Sequence, residues 1–192
     1  PKKNFFKKIL FLNKMRKNIY DNIFILDGKD RSIFTILALK GTKKIIMIEK
    51  RNFDELQPSF YNQPLMPYLG AKLAFIKDGK ANIELDFDKK ITQHHGLFHG
   101  GVIGTIADNS AGFAAMTLMP KDREPLTIEF KINFLNIANG EKIISEAVIL
   151  NYGKTIFHGE SKVFSIKGDR KKLAATALVT IKATRRVKEI FT

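Results

Sequence analysis

A chain of 192 residues, 44% of them hydrophobic, is long enough for one ordinary domain with a buried core and some chain to spare. It has no cysteine, which excludes a disulfide framework, a thiolate nucleophile and a thiolate metal site, and is compatible with a cytoplasmic location. The formal charge of +14 points to nucleic acid until it is divided along the chain. Residues 1 to 46 hold 12 of the 33 Lys+Arg and 3 of the 19 Asp+Glu, so +9 of the excess lies there and +5 in the rest.

Residues 1 to 46 read as a basic N-terminal extension, with Lys, Asn, Phe and Ile in irregular alternation and short apolar runs at Ile9–Leu12 and Ile33–Leu39. Neither run approaches the ~20 apolar residues that span a bilayer, and a secretory pattern is not evident. A basic amphipathic contact with anionic lipid or nucleic acid is the minor reading, and a loosely attached tail the major one. Met47 directly precedes the first orderly pattern and is a candidate alternative start, which would leave residues 1 to 46 outside the functional protein. The domain is therefore expected over residues 47 to 192.

Phe53–Leu56 predicts a short helix, followed by an irregular lead-in through Pro58, Pro64 and Pro67, since proline removes a donor and blocks helix continuation. Gly70–Ile76 reads as a strand, Asp78-Gly79 as a hairpin turn, and Ala81–Phe87 as a half-buried strand alternating at period two. Val102–Leu118 is apolar nearly all round, which predicts a buried helix ended by Pro120. Four strands follow at Leu126–Leu135, Lys142–Tyr152, Thr155–Ile166 and Lys172–Ala183, with turns at Asn139-Gly140, Tyr152–Lys154 and Lys167–Asp169. Two strands, a helix and an antiparallel meander of four strands make an α+β fold, a single sheet wrapped around one long central helix.

Between the second strand and that helix lies Gln93-His94-His95-Gly96-Leu97-Phe98-His99-Gly100-Gly101, and the helix carries a single carboxylate, Asp108. Gly100 and Gly101 fall where the helix begins, so their unpaired N–H groups and the positive end of the helix dipole can face an oxyanion. A tight turn is the alternative use of these glycines. A lone carboxylate in an apolar helix is costly to bury and needs either a partner or a purpose. Gly100 and Asp108 are eight residues apart, roughly 12 Å on one helix at 1.5 Å per residue, so one reacting carbon cannot touch both. Two antiparallel helices from two subunits solve this, which predicts at least a dimer with paired sites at its interface. Adjacent His94 and His95, without an acid cluster, have poor metal-ligand spacing, and no metal is expected.

The element order together with Phe98-His99-Gly100-Gly101-Val102-Ile103-Gly104-Thr105-Ile106-Ala107-Asp108-Asn109 resembles the hotdog-fold thioesterases, in particular the phenylacetate-degradation (PaaI-like) branch. The resemblance covers roughly Phe53 to Thr184. It implies an acyl-CoA thioesterase that hydrolyses a thioester to free acid and CoA. Asp108 would serve as general base or nucleophile and the Gly100 amide as oxyanion donor.

Gln93 stands where related enzymes carry an asparagine that contacts the thioester or the attacking water, and a solvent-facing loop glutamine is its alternative. His99 either orients the turn or touches the thioester carbonyl. Thr127 matches a Ser/Thr position that assists the acid. Gly101 and Asn109 are further substrate contacts, with Asn109 and Ser110 facing the partner helix. Lys167, Arg170, Lys171 and Lys172 form a basic turn, and Arg170 and Lys171 are assigned to the coenzyme A phosphates, against the alternative of a solvated hairpin. No cofactor is implied, coenzyme A being part of the substrate. The expected partners are the acyl-CoA and further copies of the chain, as a homodimer or dimer of dimers, with no nucleic acid. The rival readings are a non-catalytic acyl-CoA-binding hotdog module, an interaction protein acting through its basic tail, and a hotdog dehydratase.

Overall fold

The computed structural model describes residues 51–185 in full and, before them, the backbone of three strands; the run Ile9–Leu12 lies outside the described residues. Strands β1 (Ile23–Leu26), β2 (Phe34–Ala38) and β3 (Ile45–Glu49) form an antiparallel sheet in that order, within the stretch expected to be a tail. β3 crosses the expected boundary at residue 46, and Met47 pairs with Ile36.

Helix α1 (Phe53–Tyr61) starts at Asn52, whose side chain accepts from the Glu55 N–H, and it buries Leu56 and Phe60 one turn apart. It runs through Pro58, where a break was expected. The hydrogen bond that proline removes would have gone to Asp54, and both residues are exposed, so water can satisfy the freed carbonyl. Helix α2 (Leu65–Leu69) follows and ends at Gly70. Arg51 anchors the start of this segment to the far side of the domain, reaching the Arg123 carbonyl and, at 3.1 Å, the Glu124 carboxylate.

Strands β4 (Ala71–Lys77) and β5 (Lys80–Asp86) make the expected hairpin. Asp78 and Gly79 both take positive φ (46° and 76°), the primed turn whose twist matches the strands. The Gly79 N–H donates to the buried Thr117 hydroxyl at 2.7 Å, tying the turn to the end of the central helix, α3 (Gly100–Met116).

Strands β6 (Arg123–Phe134), β7 (Lys142–Tyr152), β8 (Ile156–Lys167) and β9 (Arg170–Arg185) complete a six-stranded antiparallel sheet. Its order is β4-β5-β7-β8-β9-β6, which corrects the expected meander: β7 pairs with β5, and β6 crosses to the far edge to pair with β9. A helix apolar nearly all round has to be covered on several sides. Sending β6 to the opposite edge lets the sheet curl around α3, which packs against β5, β6, β7, β8 and β9. Ile106 of α3 and Ile83, Ile143, Val163 and Ile181 of the sheet are fully buried in the resulting core. Among the described residues no helix is long and apolar enough to cross a membrane.

The turn at Gly140 depends on a close approach. A Cβ there would lie 2.1 Å from the Ile166 carbonyl oxygen, and the Gly140 N–H donates to the buried Ser165 hydroxyl at 2.9 Å. Gly140→Ala should therefore destabilise the domain by about 3 kcal/mol, since backbone has to move on both sides of the contact. An unchanged denaturant midpoint would show that the two segments separate freely.

Candidate active site

The site is built along one face of α3. His99 caps the helix in an extended conformation (φ −65°, ψ 135°), and its Nδ1 accepts from the Gly101 N–H at 2.9 Å. Nδ1 is therefore unprotonated, and a neutral ring carries its proton on Nε2. Of the two glycine amides expected to be free, the one at Gly101 is thus occupied. Among the described residues nothing accepts from the Gly100 N–H, which is left at the positive end of the helix. The hydrogen bond to Gly101 is of the kind that the loop-orienting use of His99 requires.

From Gly100 the helix presents a small or polar residue at every fourth position toward edge strand β6. Gly100 faces the ring of Phe134, Gly104 the ring of Phe130, Asp108 the hydroxyl of Thr127, and Gly112 the ring of Pro125. Residues four apart share a helix face, while β6 runs antiparallel to α3 and contributes alternate residues. A Cβ on Gly100 would come within 3.3 Å of Phe134 and one on Gly104 within 3.7 Å of Phe130, so the absent side chains make room for two aromatic rings. Between helix and strand lies an open cavity of about 630 Å³. Its lining includes Gly100, Gly101, Gly104, Thr105, Asp108 and Asn109 of α3, and Phe130, Ile132 and Phe134 of β6. Gln63, Leu65 and Met66 at the α1–α2 junction complete it.

Asp108 accepts from the Thr127 hydroxyl at 2.8 Å. The pairing register of β6 shifts between Thr127 and Glu129, a local irregularity of the kind that re-aims a side chain. Burial pushes the Asp108 carboxyl above its usual range, and the Thr127 hydrogen bond pulls it partly back. An acid in this state binds a proton more readily than one in water.

Other expected site residues are placed differently. Asn109 lines the cavity and donates to Gln63 Oε1 at 2.9 Å, while its own Oδ1 is buried with no partner among the described residues. Ser110 turns away from this face and into the sheet, where its hydroxyl meets Ser145 at 2.6 Å; it is not a surface residue for a partner helix. Gln93 does not line the cavity of its own chain, and its Oε1 accepts from the His95 N–H at 2.6 Å, closing the loop before Phe98. Arg170 and Lys171 open β9 at the hairpin tip and also lie off the cavity. Lys171 pairs with Glu146 at 2.6 Å and covers the Phe164 ring, on the sheet face opposite α3. Gln63, Phe130 and Phe134 were missed from the sequence. The four-residue spacing of Gly100, Gly104, Asp108 and Gly112 was the available signal for a face that receives large neighbours.

The model of the thioesterase superfamily matches residues 95–172. A thioesterase family protein from Silicibacter pomeroyi is 32% identical, with a TM-score of 0.66 over 68% of this chain and 96% of that one. The 1,4-dihydroxy-2-naphthoyl-CoA hydrolase of Listeria monocytogenes is 25% identical over 99 residues, 52% of this chain and 80% of that protein. A variant of the phenylacetic acid degradation protein PaaI from Thermus thermophilus shares the fold at 21% identity, with a TM-score of 0.57 over 64% of this chain and all of that one. The His99–Asp108 motif lies inside the matched stretch and a relative is similar over nearly its whole length, so the chain belongs to the thioesterase superfamily, with the hotdog fold, as a thioester hydrolase.

Proposed function

We propose that the chain hydrolyses acyl-CoA thioesters at sites shared by two copies, with Asp108 of one copy facing Gly100 of the other. The observation that carries this reading is one groove with an unpaired amide at Gly100 and a proton-avid acid at Asp108. The two are separated by roughly 12 Å of helix, too far for a single thioester carbon. Edge strand β6 supports it: Leu126, Ile128, Phe130 and Phe134 are 56%, 57%, 43% and 55% exposed on a strand whose outer edge is unpaired among the described residues, a surface suited to burial against a second copy.

In the water route, Asp108 takes a proton from water as the oxygen attacks the thioester carbon. The carbonyl oxygen becomes an oxyanion held by the Gly100 N–H, and collapse expels coenzyme A as its thiolate. In the covalent route, Asp108 attacks first, and water then cleaves the resulting anhydride. Thr127 holds the carboxylate in either case. Phe130, Ile132 and Phe134 give the acyl group an apolar wall, and Asn109 with Gln63 gives it a polar end. Gln93 lies on the same loop as Gly100 and moves with it to the acid of the second copy; Arg170 and Lys171 are the residues assigned to the phosphates.

Thiol release from acetyl-CoA, decanoyl-CoA and benzoyl-CoA, measured alongside sedimentation, tests the reading. Turnover by a dimer or larger assembly is expected. A fully active monomer would refute the shared site.

A further inference from the structure

Behind Asp108, on the side of α3 away from the cavity, three fully buried serines meet. Ser161 of β8 donates to the Ala107 carbonyl at 2.6 Å, and Ser110 donates to the same oxygen at 3.0 Å. The Ser110 hydroxyl has one hydrogen, already given to Ala107, so across the 2.6 Å contact Ser145 of β7 is the donor. Each of the three hydroxyl hydrogens is used once. The Ala107 carbonyl belongs to the same rigid peptide plane as the Asp108 N–H, and that plane ends on the Asp108 Cα.

The surroundings explain why directed bonds are useful there. The facing surfaces are small and smooth: Ala107 and Ala111 on the helix, Ala147 and Gly159 on the sheet, with a Cβ on Gly159 only 3.6 Å from that of Ala111. Apolar burial draws two such surfaces together without direction and leaves sliding or rolling of the helix weakly opposed. Hydrogen bonds of fixed length to one carbonyl set the register. The acid is then gripped twice, its backbone from the middle of the sheet and its carboxylate from Thr127 at the edge.

We propose that Ser145, Ser110 and Ser161 form a positioning node that sets where Asp108 sits in the cavity. This rests on the reading of Asp108 as the reacting acid. It is a role for core residues that touch no substrate, and it requires their loss to act on turnover more than on binding.

The test compares four variants with the wild-type chain on whichever of acetyl-CoA, decanoyl-CoA and benzoyl-CoA is turned over fastest. Ser145→Ala with Ser161→Ala removes both sheet hydroxyls and leaves the Ser110 hydroxyl its own bond to Ala107, so no buried group is orphaned. A fall in kcat of about 10- to 100-fold is expected, as for a misplaced reacting group, with KM changed by less than about twofold. Single Ser161→Ala reads the same effect if the double variant does not fold. Ser165→Ala is the control: another buried serine, bonded to the Gly140 turn and remote from Asp108, whose loss should lower the melting temperature and leave kcat unchanged. Asp108→Asn is measured beside them. Unchanged kcat in the Ser145 and Ser161 variants, or an equal fall in Ser165→Ala, overturns the node while leaving the acid in place. Near-normal turnover by Asp108→Asn overturns the reading on which the node depends.

Discussion

Asp108→Asn should lower kcat/KM by about 10²- to 10⁴-fold, the range associated with a positioned acid or base, while raising the stability of the folded chain at pH 7. The amide accepts the Thr127 hydrogen bond as the carboxylate does, so the side chain stays in place and loses only its ability to take a proton or to attack. The stability gain follows from the raised proton affinity of Asp108. The folded chain holds this proton more tightly than the unfolded chain, whose carboxyl has the ordinary value near 3.8. Wild-type stability from this group therefore falls as pH rises from about that value through the raised one, and above it the folded chain carries an ionised, partly buried acid. Asparagine carries no such charge. The melting temperature of the variant should exceed that of the wild type at pH 7, and the two should converge below the ordinary carboxyl value. The same proton affinity predicts an acidic limb of the wild-type kcat/KM profile above the ordinary aspartate range. Equal melting temperatures at all pH values would show that burial does not perturb this acid.

Gly100→Pro should abolish the oxyanion donor without disturbing the helix, lowering kcat by about 10²- to 10³-fold. Proline is well suited to the first helical position, and His99 before it already has the extended conformation that precedes proline. The added ring meets Phe134 at 3.3 Å, a contact that a shift of a few tenths of an ångström relieves. Mixing this variant with Asp108→Asn, after dissociation and reassembly, should restore activity to about one quarter of the wild-type level. In a hybrid pair with shared sites, one site collects both substitutions and the other collects neither, and random pairing makes about half of all dimers hybrid. A site lying wholly within one chain has no intact copy in such a hybrid, and the mixture would then stay as inactive as its components.

Much of this was legible from local patterns. The buried helix showed in an apolar run too long for a strand, the β4–β5 hairpin in period-two alternation around Asp78-Gly79, and Asp108 in being the single acid of an apolar segment. These features depend on neighbours within one or two turns or on one strand, and the sequence displays them directly. The continuation of α1 through Pro58 was not legible, because the penalty depends on whether the freed carbonyl is wet.

The position of β6 at the far edge of the sheet was decided by long-range pairing, and most of the cavity follows from it. Phe130 and Phe134 are ordinary strand residues until β6 is laid against Gly104 and Gly100. Gln63 is a residue between two short helices until it meets Asn109. Ser110, beside Asp108 in sequence, faces the opposite way, because a step of two residues on a helix turns by roughly 200° and its direction has meaning only once the sheet is placed. The sequence by itself determined that there is one buried helix, that two glycines open it and that one acid interrupts it. Which glycine keeps its amide was settled locally, by the His99 ring two residues before Gly101; which strand walls the acid and which serines hold it from behind were decided only by the tertiary structure, since each is a contact between segments far apart along the chain.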